Sequence, residues 1–159
     1  MRTIVAAPIT PEAFAPFGDV LQCPARPGRD YFDAGLANGR RDVPASLSLS
    51  HVAPAAAMPL RVTQMERHEF SSQSFVPLDV SRYVILAAPK AAGGGPDVEN
   101  VRAFLVPGNI GITYYINVWH HPMVVLDRPG RFAVVMFRDG GPQDEEFAPV
   151  PDPFLVTLG

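Results

Sequence analysis

The chain has a single cysteine, Cys23, among its 159 residues, so no internal disulfide is available to it. It lacks long apolar runs: the start, MRTIVAAPITPEAF, carries no stretch of signal-peptide length, and nothing later approaches a membrane span. It lacks a basic cluster as well, since its 13 Lys and Arg are dispersed against 16 Asp and Glu for a net charge of −3. These absences argue against a disulfide scaffold, a membrane protein and a nucleic-acid binder. A small-molecule ligand is the expected partner and the cytoplasm the expected compartment. Strong helix formers are scattered rather than periodic. What the chain has instead is 18 prolines and 13 glycines, which break it into many short segments and favour an all-β design. Residues 1–159 are long enough for one self-sufficient domain, with no metal or disulfide needed merely to fold.

Within ITPEAFAPFGDVL, Thr10 is a helix cap, Pro11 suits the first helical position and Glu12 the positive end of the dipole, while Pro16 and Gly18 limit the helix to two turns. QCPARPGRDYFDAGLANG reads as turns. In ASLSLSHV, residues 45 to 52, Leu47 and Leu49 alternate with serines as in a half-buried strand, which puts His51 on the leucine face as a packed residue. A strand follows around Leu60 to His68. FVPLDVSRYVILAAP supplies another, apolar enough from Tyr83 to Ala87 to be central. KAAGGGPDVEN is a mobile surface loop. VRAFLVPGN, GITYYINVW, HPMVVLD and RFAVVMFRDG are four further strands, and the Pro-interrupted tail lies along the domain or a second subunit. Short strands at this spacing predict a sandwich or small barrel.

Two places carry polar residues where a buried strand would not want them. Glu66 and His68 are two apart and share a strand face, and Gln73 opens the next apolar strand. NVWHHPM sets His120 and His121 side by side, so strand alternation sends them to opposite faces and only one can enter a given pocket. Glu66, His68, Gln73 and His120 together offer oxygen and nitrogen ligands suited to a borderline or hard divalent cation, with the only thiol far away in sequence. The alternative is a solvated Glu66 and a structural His68. Trp119 is the expected core anchor.

MERHEFSSQSFVPL, VRAFLVPG, GITYY and NVWHHP together resemble the ureidoglycolate lyase family, formerly called ureidoglycolate hydrolases, and the likeness runs from ITPEAFAPFGDVL to RFAVVMFRDGG. The resemblance implies a cupin-type (RmlC-like) double-stranded β-barrel or jelly roll with a short N-terminal helix. It implies a carbon–nitrogen lyase that splits (S)-ureidoglycolate into glyoxylate and urea in allantoin breakdown, a homodimer, and a divalent metal, nickel, with no organic cofactor. Against the general cupin ligand pattern, Glu66 stands for a first histidine and Gln73 for a glutamate, while His120 matches the later histidine. His68 and His120 are then the catalytic candidates. Gln73, Arg102, Tyr114 and Asn117 are the substrate-binding ones, with Arg102 or the backbone N–H groups of Gly108 to Gly111 receiving the carboxylate. Alternation turns Arg67 away from this pocket and sends His121 outside, and Tyr115 fills space. Two other readings stay open: another small-acid cupin enzyme of isomerase type, and a non-catalytic cupin that binds small carboxylates.

Overall fold

The computed structural model describes residues 1–159. β1 (Thr3–Pro8) leads into α1 (Pro11–Phe14), where Thr10 Oγ1 accepts the Ala13 N–H at 3.1 Å and Phe14 is buried. Then come β2 (Gly18–Leu21), β3 (Ala45–Val52), β4 (Leu60–Arg67) and β5 (Gln73–Asp79). β6 (Arg82–Ala88), β7 (Arg102–Pro107), β8 (Gly111–Tyr114) and β9 (Trp119–His120) follow. β10 (Val124–Leu126), β11 (Gly130–Phe137) and the 13-residue β12 (Glu146–Leu158) complete the chain. The fold is all-β, and no helix is long and apolar enough to cross a membrane.

Two sheets divide the strands. One runs β10-β6-β7-β1-β12-β4-β9, and a further β6–β9 pairing joins its ends into a closed ring of six strands with β10 alongside. The other runs β2-β8-β5-β11-β3. Every residue of β6 from Tyr83 to Ala88 is buried, and its alternation explains why. Val84, Leu86 and Ala88 pack inside the ring with Met65, Trp119 and Phe154, while Tyr83, Ile85 and Ala87 pack against Phe14, Ile112, Tyr114 and Phe132 beneath the second sheet. β6 is thus a shared wall between two cores. Gly18 lets β2 lie close on β8, since a Cβ there would run into the Thr113 carbonyl and the Phe14 ring.

The structure departs from the sequence expectations in several places. Leu47 and Leu49 point outward, 71% and 73% exposed, and His51 is exposed with them. The inner face of neighbouring β11 is already filled by Phe132 and Val134, so the β3 leucines align instead with Ala133 and Val135 on the outer side. Val80 and Ser81 split the expected continuous strand through Tyr83 into β5 and β6, which lie in different sheets. GITYYINVW likewise breaks into β8 and β9, around a turn in which Asn117 adopts φ of 66°. The tail is a full strand, parallel to β1 and antiparallel to β4, with its prolines gathered near a register shift between Pro149 and Phe154. One carbonyl of the glycine loop, that of Gly94, accepts the Trp119 indole N–H at 3.2 Å.

Ile85→Ala removes fully buried volume from the shared wall and is expected to cost about 2–5 kcal/mol. Arg26→Ala, in an exposed turn, should stay within about 0.5 kcal/mol. Urea unfolding midpoints at constant slope check both.

Candidate active site

The site forms where β9 is held between β4 and β6. His120 stands opposite Glu66 on one side and Ala87 on the other, so its side chain takes the Ala87 direction, towards the second core. His68, two residues beyond Glu66, shares that side. The imidazole rings of His68 and His120 lie 5.3 Å apart, and Tyr114 stacks on His120 at 4.2 Å and 14°. Tyr114 is in turn aligned with Gln73 across β8 and β5. Ligand atoms of Glu66, His68 and His120 lie within 4.8 Å of one another, as a divalent-metal triad requires.

Hydrogen bonds fix both imidazoles. His68 Nδ1 is 2.6 Å from the Asp144 carbonyl and His120 Nδ1 is 3.0 Å from that of Val118. A carbonyl only accepts, so each Nδ1 carries the proton and donates it. Each Nε2 then faces inward, and both are buried without a hydrogen-bond partner. Gln73 Oε1 and Tyr114 OH are orphaned too. His120 Nε2 lies 3.4 Å from Glu66 Oε1, so a proton on that nitrogen faces a carboxylate. Four unpartnered polar atoms beside a carboxylate need a proton, a cation or a substrate among them, because buried polar groups are otherwise satisfied. The donor set therefore fits a divalent cation. It holds two imidazole nitrogens and a carboxylate, with an amide oxygen from neighbouring Gln73.

Burial and then the neighbouring His120 hold His68 below its ordinary pKa, so it is a neutral base at pH 7. Burial pushes Glu66 the other way, but His120, His68 and His121 outweigh it and keep the carboxyl below its usual range. Burial drives the Tyr114 phenol well above its usual value, so it remains a hydrogen-bond donor.

Other expected site residues sit elsewhere or in supporting roles. Asn117 donates its N–H to the His68 carbonyl at 2.9 Å and receives Arg67 Nη1 on its side-chain oxygen at 2.7 Å, bracing the turn before β9. Arg67 does face away from Glu66 and His68, yet it is buried rather than solvated. It lies 4.8 Å over the Trp119 ring and pairs with Glu146. Arg102 is exposed, donates to the Ala13 carbonyl at 2.8 Å and covers Phe104, apart from the cluster. Asn109 and Gly111 border a different groove, beside Cys23. Trp119 is fully buried in the ring core, and His121 is half-buried with Nδ1 2.7 Å from the Pro122 carbonyl.

Sequence reading missed the turn after β11. Asp144 is buried there, with Arg40 Nη2 at 2.5 Å and the Gly140 N–H at 2.6 Å on its carboxylate. Burial opposes ionisation of Asp144, but Arg40 and the backbone donors outweigh it and hold its pKa below the ordinary value. The same residue's carbonyl orients His68. A recess of about 230 Å³, bordered by His68, Gln73, Met136, Arg138, Asp144 and Glu145, opens at this point. The signal was present in RDGGPQDE, a Gly-rich turn dense in charge.

Imidazole, carboxylate, amide and phenol groups turned towards one another beside an all-β barrel match the cupin-type site expected from the sequence. A profile described as ureidoglycolate lyase matches residues 1–157. A ureidoglycolate lyase of Stutzerimonas stutzeri is 35% identical over 158 residues, covering 92% of this chain and 90% of that protein. One from Pseudomonas paraeruginosa is 37% identical over 147 residues, covering 85% and 83%. Among solved structures, a dTDP sugar isomerase from Desulfovibrio desulfuricans G20 superposes with a TM-score of 0.48 at 18% identity, over 84% of this chain and 82% of that one. The chain belongs to the ureidoglycolate lyase family.

Tyr114→Phe keeps the ring stacked on His120 and deletes an unsatisfied buried hydroxyl. It is expected to raise the stability of the ligand-free protein by about 1 kcal/mol while lowering turnover about tenfold. Thermal denaturation and steady-state kinetics on one preparation check the pair.

Proposed function

We propose that this chain is a lyase that cleaves ureidoglycolate into glyoxylate and urea, acting as one domain over residues 1–159. The observation that supports this most strongly is the pair of orphaned Nε2 atoms on His68 and His120, beside Glu66 and Tyr114. The substrate carbon bears a hydroxyl, a carboxylate and a urea nitrogen. His68 Nε2, a neutral base, takes the hydroxyl proton, and the O–H electron pair becomes the second bond of a carbonyl. The C–N bond breaks towards nitrogen, which receives a proton from His120 Nε2. Glu66, 3.4 Å away, gives a proton on that nitrogen an anionic neighbour. Water is not consumed.

Tyr114 OH and Gln73 have donors and an acceptor to offer the ureido group. Asn117 supports the site by holding the turn that leads into His120. Where a divalent metal is bound instead, nickel by family resemblance, Glu66, His68, His120 and Gln73 would hold it, and the two Nε2 atoms then serve as ligands rather than as proton carriers. Such an ion, when bound, supplies a Lewis acid that lowers the pKa of the substrate hydroxyl. The recess of about 230 Å³ suits a small acid, lying below the roughly 300–1,000 Å³ of pockets for drug-sized ligands.

The reading extends to a homodimer and a cytoplasmic location. Leu47, Leu49, Val76 and Leu78 are exposed on the second sheet and supply an apolar face for a second copy. Exposed Cys23 is free, as expected in a reducing compartment.

Purified protein with racemic ureidoglycolate, assayed for urea and glyoxylate with chelator and with single divalent ions added back, tests the proposal. Release above the spontaneous rate is expected, falling by at least about 100-fold in His68→Ala and in His120→Ala. No release under any metal condition would overturn it. Loss on chelation restored by one ion identifies the metal.

A further inference from the structure

The proposed substrate is an anion, and the groups around its reacting carbon do not by themselves explain how a carboxylate is welcomed. Asp144 and Glu145 line the recess beside His68, and the Glu66 carboxylate oxygen stands 3.4 Å from His120 Nε2. An arriving carboxylate meets like charge unless a cation faces it. Nearby cations are mostly committed. Arg67 is engaged by Glu146, Asn117 and the Trp119 ring, and Arg40 by Asp144 and Asp139.

Arg138 is different. It borders the same recess as His68 and Gln73, and its side chain is 49% exposed. Its guanidinium makes no hydrogen bond, although its own backbone N–H is tied to Pro44 O at 3.2 Å. The closest carboxylate oxygen, Asp144 Oδ2, is 3.8 Å from Arg138 Nε, beyond hydrogen-bond range, and already accepts the Gly140 N–H. The direction of the side chain follows from alternation along β11. Phe132, Val134 and Met136 face inward, so the next residue of that parity lies at the open end of the same face. Met136 itself receives Gln73 Nε2 at 3.9 Å on its sulfur. A planar fork of free donors at the edge of a small recess is matched to one ligand group, a carboxylate gripped by two parallel hydrogen bonds.

We propose that Arg138 is the substrate-binding residue that receives the carboxylate of ureidoglycolate, and that it selects for an α-carboxylate on the carbinol carbon. This rests on the lyase reading given above. The carboxylate is anchored at the recess edge while the hydroxyl and ureido nitrogen reach inward to His68 and His120. The product glyoxylate keeps the anchored group, and urea does not.

Arg138→Met removes the charge while keeping most of the side-chain bulk, and its exposed position predicts an unchanged fold, checked by melting temperature. Arg138→Lys restores charge without the fork and serves as the second variant should the Met form fold poorly. With the wild type active, Arg138→Met is expected to raise KM about 10- to 100-fold with kcat changed less than about threefold. Inhibition by glyoxylate should weaken by a similar factor, inhibition by urea should not change, and Arg138→Lys should fall between. Unchanged KM and glyoxylate inhibition in both variants of an active enzyme, or a fall in kcat alone, would overturn the role of Arg138 and leave the lyase reading standing. If the wild type has no lyase activity, calorimetry with glyoxylate separates the two claims. Binding lost in Arg138→Met upholds the carboxylate site while the lyase reading fails, and absent or unaltered binding overturns Arg138 as well.

Discussion

One backbone contact carries both the fold and the site: the pairing of His120 with Glu66 on β4 and with Ala87 on β6. β9 is only two residues long, yet it is the strand that closes the six-stranded ring. So short a strand has few ladder hydrogen bonds of its own and must be held from outside. Arg67 does much of this, covering Trp119 with its guanidinium and bonding Asn117 in the turn just before the strand. The Asn117 N–H on the His68 carbonyl and the Trp119 indole on the Gly94 carbonyl complete the clamp. Closing the barrel and presenting His120 are therefore one event.

The chemistry follows from where the protein places its hydrogen bonds. Each imidazole of the cluster spends its Nδ1 proton on a main-chain carbonyl, which orients the ring and leaves Nε2 for a ligand. For His68 that carbonyl belongs to Asp144, whose carboxylate is gripped by Arg40 from 104 residues away in sequence. An ion pair at the rim thus sets a proton position in the interior. The orphaned atoms of Tyr114, Gln73 and the two histidines leave the ligand-free site under strain of polarity, which a bound substrate or cation relieves.

Much of this arrangement was legible from residue spacing. Glu66 and His68 lie two apart on a strand and must share a face, Gln73 does open the following strand, and alternation separates His120 from His121. Alternation also turned Arg67 away from the site, but its burial over Trp119 required knowing that the opposite face is a second core. The two-faced nature of ASLSLSHV was readable, whereas which face met the core was not, because that depends on how Phe132 and Val134 of a strand some 80 residues later fill the interior. The β8–β9 break escaped notice because ITYYINVW is β-prone nearly throughout, and the left-handed backbone at Asn117 lies in the turn that divides it. RDGGPQDE marks the turn that carries Arg138 and Asp144, but not what Arg40, Arg138 and Asp144 go on to meet. Their meeting is tertiary, and no local period announces it.

The central claim is that His68 and His120 both hold their protons on Nδ1 and turn Nε2 towards a common ligand. Long-range proton–nitrogen NMR of the ¹⁵N-histidine-labelled protein tests it most directly, at mildly alkaline pH and then with glyoxylate added. The account predicts protonated Nδ1 in both rings, an unprotonated Nε2 in His68, and movement of both Nε2 resonances on glyoxylate binding. An Nε2–H tautomer for His68, or Nε2 signals that stay put while glyoxylate binds, would contradict it.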